Sequence, residues 1–338
     1  MTLAVRVLSA GILTAGALLL PAAPAAAGQF HLTDTVDDFN CDGFRDEVYL
    51  ADHYDVGDAR AAGAIIVYLS TFEDVTLSQN TPGIPGTPET GDRFGATYAS
   101  ADFNGDGCDE LIVGAPGEDR RAGMVVVIEG SPTGPDPSRA IAYTQDSPGV
   151  PGSSERGDEF GATLAAGATT SGQAYLLAGS PGEAIGSRTD AGSVYYLRGG
   201  TWRTFHQDSP GVAGTAEYGD RFGDTLASGD RHFVVGAPAE NLSGRDYAGQ
   251  IHVFDHRIVG GIPDPLATIS QDSAGVSGTA EADDEFGRDV SIVSYRPSAG
   301  AAIGALVAVG VPGEDLGADD NAGMAHVLAV TPTGKVTE

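Results

Sequence analysis

The chain is strongly acidic: its 338 residues include 47 Asp and Glu against 18 Lys and Arg, which gives a formal net charge of −29. This balance argues against nucleic acid and anionic membrane surfaces as partners, because both attract a basic patch. Hydrophobic residues make up 41% of the chain, and this length can bury a large core in one or two domains.

Residues 1–27 are predicted to be a secretory signal. Arg6 is their only charge, Val7–Leu20 is apolar, and Ala25–Ala27 offer small residues for cleavage. The apolar run is too short for a stable membrane span, and no later stretch approaches about 18 continuous apolar residues. We therefore expect a secreted, extracellular monomer without a membrane span, in which residues 28–338 form the folded part.

The rest of the chain consists of five similar units. A Phe-Gly pair recurs at nearly equal intervals and is followed by a Gly-x-Pro turn and then by an Ala-Gly pair that opens another apolar run. A segment of the type Gln-Asp-Ser-Pro-Gly-Val separates the units. A fixed period of this kind indicates repeated supersecondary units. The predicted units are residues 29–78, 79–144, 145–206, 207–270 and 271–338.

Each unit is predicted to contain β-strands and no helix. The apolar runs are short, rich in β-branched residues and bounded by Gly, Pro, Asp and Ser, and alternate residues such as Val125 and Val127 share one face. Four strands can be found in most units, although unit five has no clear fourth strand after Val330. Antiparallel four-stranded units that repeat radially form a β-propeller, so we predict an all-β propeller of about five blades.

Unit two carries an acidic loop between its first two predicted strands. Short oxygen-bearing side chains occupy alternate positions, glycines allow a sharp turn, and a carboxylate follows a few residues later. This arrangement is the oxygen cage that calcium needs, whereas magnesium demands a smaller and stricter octahedron. We predict one calcium ion in this loop, which we call loop two, held by Asp102, Asn104, Asp106, the backbone carbonyl of Cys108, and Glu110.

Unit one carries a second loop of the same type. Phe30 and Phe39 have the same spacing as Phe94 and Phe103, and this alignment places a similar set of oxygen donors in unit one. The equivalent regions of units three to five lack this set, so two calcium sites are expected. The predicted ligands of loop one are Asp38, Asn40, Asp42, the backbone carbonyl of Phe44, and Asp46.

Cys41 and Cys108 are the only two cysteines, and one lies in each loop. An oxidising extracellular context permits a disulfide that would tie unit one to unit two. The sequence alone leaves this pairing open, because it does not show whether the two Cα atoms come within bridging distance.

Catalytic signatures are missing from the sequence. It contains no Gly-x-Ser-x-Gly, no phosphate-binding glycine loop and no short pair of metal-binding histidines. On this basis we expect that the protein is not an enzyme. Asn241–Ser243 is a glycosylation sequon that matters only in a host that glycosylates.

The Phe-Gly pair, the Asp-x-Asn-x-Asp-Gly loop and the Gly-Ala-Pro turn together resemble the FG-GAP repeat of the integrin α-subunit N-terminal propeller. Similar repeats are carried by related secreted bacterial proteins and by glycosylphosphatidylinositol-specific phospholipase D. The resemblance covers nearly all of residues 28–338. It implies a propeller with calcium loops between the first and second strands of some blades.

The same resemblance implies a function in adhesion, as a platform that binds an extracellular protein or glycan without catalysis. Two alternatives remain open: a hydrolase-associated protein related to the repeat region of the phospholipase, and a structural component of the cell envelope. Integrin propellers have seven such units. The alternative fold is therefore an incomplete part of a seven-bladed propeller.

Overall fold

The computed structural model describes residues 36–317 and 319–338, so the predicted signal at residues 1–27 lies outside the described residues. The described chain is built from strands and one short helical turn. The elements are β1 (Glu47–Ala51), β2 (Ala64–Tyr68), β3 (Asp74–Leu77), β4 (Thr97–Ala101), β5 (Glu110–Ala115), α1 (Glu118–Arg121), β6 (Met124–Glu129), β7 (Asp136–Tyr143), β8 (Thr163–Ala168), β9 (Ala174–Ser180), β10 (Ser193–Arg198), β11 (Thr201–Phe205), β12 (Thr225–Ala227), β13 (His232–Ala237), β14 (Gln250–Val259), β15 (Ile262–Ile269), β16 (Val290–Tyr295), β17 (Gly304–Val311), β18 (Met324–Val330) and β19 (Val336–Thr337).

Sequential strands pair antiparallel into separate sheets, one for each unit. The orders are β1-β2-β3, β4-β5-β6-β7, β8-β9-β10-β11, β12-β13-β14-β15 and β16-β17-β18-β19. α1 is an irregular turn, because Asp119 and Arg120 have φ of 48° and 64°. Within the described part of the chain, no helix is long and apolar enough to cross a membrane. The prediction of an all-β chain of repeated antiparallel blades is confirmed.

The first and last units depart from the predicted strand pattern. In unit one the described residues form three strands, β1–β3, instead of four. Unit five does have the fourth strand that was missed, because β19 pairs with the end of β18 through Val330 and Val336. A tight turn makes this hairpin possible, with the N–H of Thr331 donating to the carbonyl of Lys335 at 2.9 Å.

The four-stranded sheets are arranged radially around a channel. Their first strands lie side by side in chain order, with β4 against β8, β8 against β12 and β12 against β16. All four border one cavity of about 450 Å³, into which small residues such as Ala99, Ala165 and Ala227 fit, and Val36 and Asp37 border it as well. This cavity is the central channel of a propeller.

The Phe-Gly, Ala-Gly and Gly-x-Pro motifs meet at one joint between neighbouring units. The N–H of Phe160 donates to the carbonyl of Ala122 in the preceding unit at 3.0 Å, and the N–H of Gly161 donates to the carbonyl of Gly179 in its own unit at 2.9 Å. The same bonds form at Phe94, Phe222 and Phe286, whose side chains are all 0% exposed. The three motifs therefore fasten one blade to the next.

The two ends of the array have sheet faces that no described residue covers. Tyr49 on β1 is 54% exposed, and Val293 on β16 and Val327 on β18 are 59% and 57% exposed. In unit two the residue at the same position as Val327 is Val127. Val127 is partly buried, and Val125 on the same face is fully buried, in a cluster shared with unit three. Unit one and unit five thus each keep one blade face free in the described part of the chain.

We expect Gly123→Ala to destabilise the joint between units two and three. Gly123 has a φ of +92°, and an added Cβ would come within 2.3 Å of the carbonyl oxygen and 2.4 Å of the nitrogen of Phe160. Left-handed strain together with a clash against backbone should cost about 2 kcal/mol or more, measured by urea unfolding. The matched control is Gly157→Ala, since Gly157 has a φ of +99° and open space around it. Equal losses for both variants would show that the joint is not tightly packed.

Candidate calcium loops

Loop two connects β4 to β5 and is folded around the carboxylate of Asp102. The backbone N–H groups of Gly105 and Gly107 donate to the two oxygens of this carboxylate at 2.6 and 3.0 Å. Both glycines have positive φ, 78° and 89°, a conformation that glycine adopts without the steric cost of a side chain. The chain therefore turns back on itself and brings the following side chains towards Asp102.

The remaining predicted ligands of loop two contact one another. The side-chain amide of Asn104 donates to Asp106 and to Glu110, each at 3.0 Å. Glu110 is 2% exposed, and its carboxylate also accepts the N–H of Phe103 at 2.5 Å. The N–H of Cys108 donates to Asp106 at 2.9 Å. The structure thus gathers the side chains of loop two on one side of a tight turn.

Loop one, which precedes β1, repeats this arrangement. The carboxylate of Asp38 accepts the N–H groups of Asp42 and Gly43 at 3.1 and 2.8 Å, and the amide of Asn40 donates to Asp42 at 3.0 Å. Asp46 is 0% exposed and accepts the N–H of Phe39 at 2.9 Å. The two loops therefore share their fold as well as their spacing.

Ser70, in the turn between β2 and β3, is a contact of loop one that the sequence analysis missed. Its N–H donates to Asp46 at 2.8 Å, and its hydroxyl donates to Asp42 in a short contact. No motif marks this serine, and it lies 24 residues after Asp46 in the chain. Only the pairing of β1, β2 and β3 brings it back to the loop.

Negative charge accumulates in both loops. Burial is the main reason that the pKa of Glu110 is raised to about 7, and the carboxylates of Asp102 and Asp106 add to the rise. Burial also raises the pKa of Asp46, with Asp38 and Asp42 contributing repulsion. Among the described residues, no basic side chain forms an ion pair with a predicted ligand of either loop. Each loop could therefore be stabilised by a bound cation.

The ligand atoms of both loops are of the type that calcium prefers, but the side chains are not arranged around a common point as they would be with an ion bound. All the predicted side-chain ligands are carboxylate or amide oxygens, the donors that hard cations take. In the described residues, however, no three His, Cys, Asp or Glu side chains are grouped closely enough to hold a metal. Asn104 also presents its NH₂ group to Asp106 and Glu110. Binding would require this amide to turn over and present its oxygen.

A disulfide joins the two loops. Cys41 and Cys108 are bonded through their sulfur atoms, and their Cα atoms lie 4.5 Å apart. Backbone contacts reinforce the link, because the N–H of Asp109 donates to the carbonyl of Asp38 at 2.9 Å. The N–H of Asp37 in turn donates to the carboxylate of Asp109 at 2.8 Å. Loop one and loop two are therefore neighbours, although they belong to different units.

Residues 94–128 match the family model of the FG-GAP repeat. This segment is similar to the FG-GAP repeat. It contains the Phe94-Gly95 pair, loop two, the Gly-Ala-Pro turn and the first residues of the strand after Ala122-Gly123. The resemblance inferred from these motifs is confirmed for unit two. The inter-unit joint built by the FG-GAP motifs recurs in units three to five.

Two solved enzyme structures resemble the chain loosely along most of its length. One is described as a putative exo-beta-1,3-galactanase from Bifidobacterium bifidum s17; it is 10% identical, covers 86% of each chain and has a TM-score of 0.37. The other is the periplasmic gluconolactonase PpgL of Pseudomonas aeruginosa; it is 15% identical, covers 87% of this chain and 81% of that one, and has a TM-score of 0.36. At these TM-scores, neither an active site nor a substrate can be transferred from these enzymes to this chain.

These similarities correct one expectation from the sequence. The chain was predicted not to be an enzyme, because it has no catalytic signature and resembles a non-catalytic platform. Both solved structures are named as enzymes, and this finding contradicts that prediction. The absence of short motifs is weak evidence against an enzyme, because catalytic groups on a propeller can come from separate blades and leave no contiguous pattern in the sequence.

Proposed function

We propose that the protein is an extracellular calcium-binding propeller in which two ions stiffen loop one and loop two and hold a partner-binding surface in place. The observation that supports this most strongly is the agreement between the loops. Each gathers two aspartates, an asparagine and a buried closing carboxylate around a turn, and the disulfide sets the two loops side by side.

The ions would act on the fold through charge. Loop two connects β4 to β5, so repulsion among Asp102, Asp106 and Glu110 acts against the pairing of these two strands. A divalent cation would neutralise this repulsion and bind only the folded loop, because the oxygens are not gathered in the unfolded chain. Calcium would thus stabilise the blades that carry the loops.

The surface beside loop one supports a role in recognition. Phe72 is 99% exposed, and Tyr49 and Tyr68 pack edge to face with their ring centroids 5.2 Å apart. With Arg45 and Glu47 they border a concavity of about 520 Å³. Exposed aromatic residues next to an arginine are typical of the centres of protein–protein interfaces. This composition favours an extracellular protein as the partner.

Loop one is coupled to this aromatic surface through Ser70. The serine contacts Asp42 and Asp46 of the loop and lies two residues before Phe72. An ion in loop one would therefore fix the turn that presents Phe72. Partner binding is expected to depend on calcium for this reason.

Asp106→Ala tests the calcium proposal by titration calorimetry. The unmutated protein should bind two calcium ions, and the variant should bind one, because the oxygens of loop two no longer form a complete set. Glu73→Ala is the matched control, since Glu73 is an exposed acid outside both loops and should leave both sites intact. Two unchanged sites in Asp106→Ala would overturn the assignment of loop two.

A further inference from the structure

Four segments with a shared sequence pattern cross from one blade to the next. Each begins at a buried glutamine and ends at a buried aspartate two residues before the Phe-Gly pair, and none of these end residues is more than 4% exposed. We call these segments straps. They are Gln79–Asp92, Gln145–Asp158, Gln207–Asp220 and Gln271–Asp284.

Both ends of each strap lie beside one glutamate, which stands two residues after the proline of the Gly-x-Pro turn. The glutamine side-chain NH₂ donates to this glutamate in all four copies, as Gln145 does to Glu183. The strap aspartate accepts a backbone N–H from three residues earlier, at 2.6 Å for Asp158. We call each Gln, Asp and Glu set a strap anchor. The glutamates are Glu118, Glu183, Glu240 and Glu314.

The groups that face the anchor carboxylates are almost all acidic or neutral. Glu118 is faced by Asp92, Asp119 and Glu89, and among the described residues Gln79 is the one side chain that donates to its carboxylate. At Glu183 the facing acids are Asp158 and Glu155, and the hydroxyl of Tyr195 donates to Glu183 at 3.4 Å. At Glu240 they are Asp220 and Glu217, with the amide of Gln250 beside them. Glu281 and Asp315 accompany the pair of Asp284 and Glu314.

One base lies near an anchor, and it has a partner of its own. Arg188 acts on Asp220 from a distance, but it forms an ion pair with Asp208 at 2.6 Å. No ion pair joins any of the four anchor glutamates to a basic side chain in the described part of the chain. Two buried carboxylates per anchor therefore lack a fixed countercharge.

The anchors also hold more hydrogen-bond acceptors than donors. The side-chain oxygens of all four strap glutamines are buried and accept no hydrogen bond within the described residues. The same is true of one carboxylate oxygen each in Asp220 and Asp284. A proton on the glutamate would add a donor to a cluster in which acceptors are in excess, and it would remove one of the two buried charges.

A metal ion fits this arrangement less well than a proton. The glutamine presents its NH₂ group, not its oxygen, to the glutamate in every copy. Among the residues that the structure describes, no three His, Cys, Asp or Glu side chains are placed to hold a metal. We propose that the strap anchors are proton-binding sites, which fasten the straps when protonated and loosen them when the proton is lost.

The direction of the pH dependence follows from burial. Burial first, and then the neighbouring aspartate, raises the pKa of Glu183 to about 7, and the pKa of Glu118 and Glu240 is raised to about 7 by the same main cause. A carboxyl with a raised pKa in the folded state stabilises that state fully below its unfolded pKa, here 4.5. This stabilisation is lost as the pH rises from 4.5 to about 7.

Hydrogen exchange measured by mass spectrometry at saturating calcium tests this proposal strap by strap. After correction for intrinsic exchange, protection of residues 145–158 should fall about tenfold or more between about pH 5.5 and about pH 8. Glu183→Gln removes the charge of this glutamate at every pH and leaves Asp158 as the one buried carboxylate, so the strap should keep most of its protection at the higher pH. The straps at residues 79–92 and 207–220 of the same variant serve as internal controls and should remain sensitive to pH.

Three results would overturn the proposal. The first is equal protection of the unmutated straps at both pH values, and the second is an unchanged pH response in Glu183→Gln. The third is recovery of protection at about pH 8 when potassium or magnesium is added, which would assign the anchors to a cation instead. If Glu183→Gln fails to fold, Glu118→Gln gives the same comparison for residues 79–92. None of these outcomes depends on whether the loops bind calcium.

Discussion

Phe160→Ala should cost about 3–5 kcal/mol of unfolding free energy, because it removes a fully buried aromatic ring from the junction of two blades. Phe160 is 0% exposed and packs edge to face against Tyr195 with ring centroids 5.0 Å apart. Trp202 lies 6.2 Å away on the same side. The cavity left by alanine cannot close easily, since the backbone of Phe160 is also bonded to Ala122. Urea unfolding monitored by the single tryptophan would measure the loss.

Phe72→Ala is the control for this substitution. Phe72 is 99% exposed, so the same change of side chain should alter stability by no more than about 0.5 kcal/mol. Phe160→Leu should recover part of the loss, because it restores apolar volume without the ring. A loss below about 1 kcal/mol for Phe160→Ala would show that the Phe-Gly joint does not hold the blades together.

Removal of calcium should produce a loss of similar size. A ligand at about 100 times its dissociation constant stabilises the folded state by about 2.7 kcal/mol per site, so two sites supply about 5 kcal/mol. For a chain of this length, chelation should lower the melting temperature by about 8 °C. Limited proteolysis should then cut units one and two first, because these units carry the loops.

Magnesium and a double variant separate this effect from general salt effects. Calcium should restore the melting temperature after chelation, while the same concentration of magnesium should restore less of it. The double variant that combines Asp42→Ala and Asp106→Ala should have the same melting temperature with and without calcium. Equal digestion of all units in both conditions would argue against ion-stabilised loops.

Much of the fold could be predicted because its determinants are local. The β-branched runs, the turn residues and the recurring Phe-Gly pairs lie close together in the sequence, and they specified strands, blade number and the order of the elements. The two loops were found for the same reason. Their ligand pattern spans fewer than ten residues, from Asp38 to Asp46 and from Asp102 to Glu110.

Most contacts that the sequence did not reveal join distant parts of the chain. Ser70 reaches loop one only after three strands have paired, and the disulfide between Cys41 and Cys108 spans 67 residues. The Phe-Gly and Ala-Gly pairs were recognised separately, yet their bond crosses a blade boundary. β19 escaped notice because two residues are too few to form a pattern.

The strap glutamines show the same limit in another form. A glutamine occupies the first position of every strap, as Gln145 does, so it could be recognised from the sequence as part of the repeat. Its role became visible only when the fold placed it against Glu183, 38 residues later. A polar residue that repeats within an apolar architecture is a signal for a buried contact, although the sequence does not say with which residue.

A structure from crystals grown with calcium most directly tests the central claim, which is that loop one and loop two each bind one calcium ion. Anomalous scattering should reveal one ion in loop one and one in loop two, each surrounded by six to eight oxygens at about 2.3–2.6 Å. The carbonyls of Phe44 and Cys108 should be among those oxygens, and the amide oxygens of Asn40 and Asn104 should face the ions. Crystals in about 10 mM calcium with no anomalous peak at either loop would contradict the account, because extracellular sites of this type bind at about 10⁻⁴–10⁻³ M.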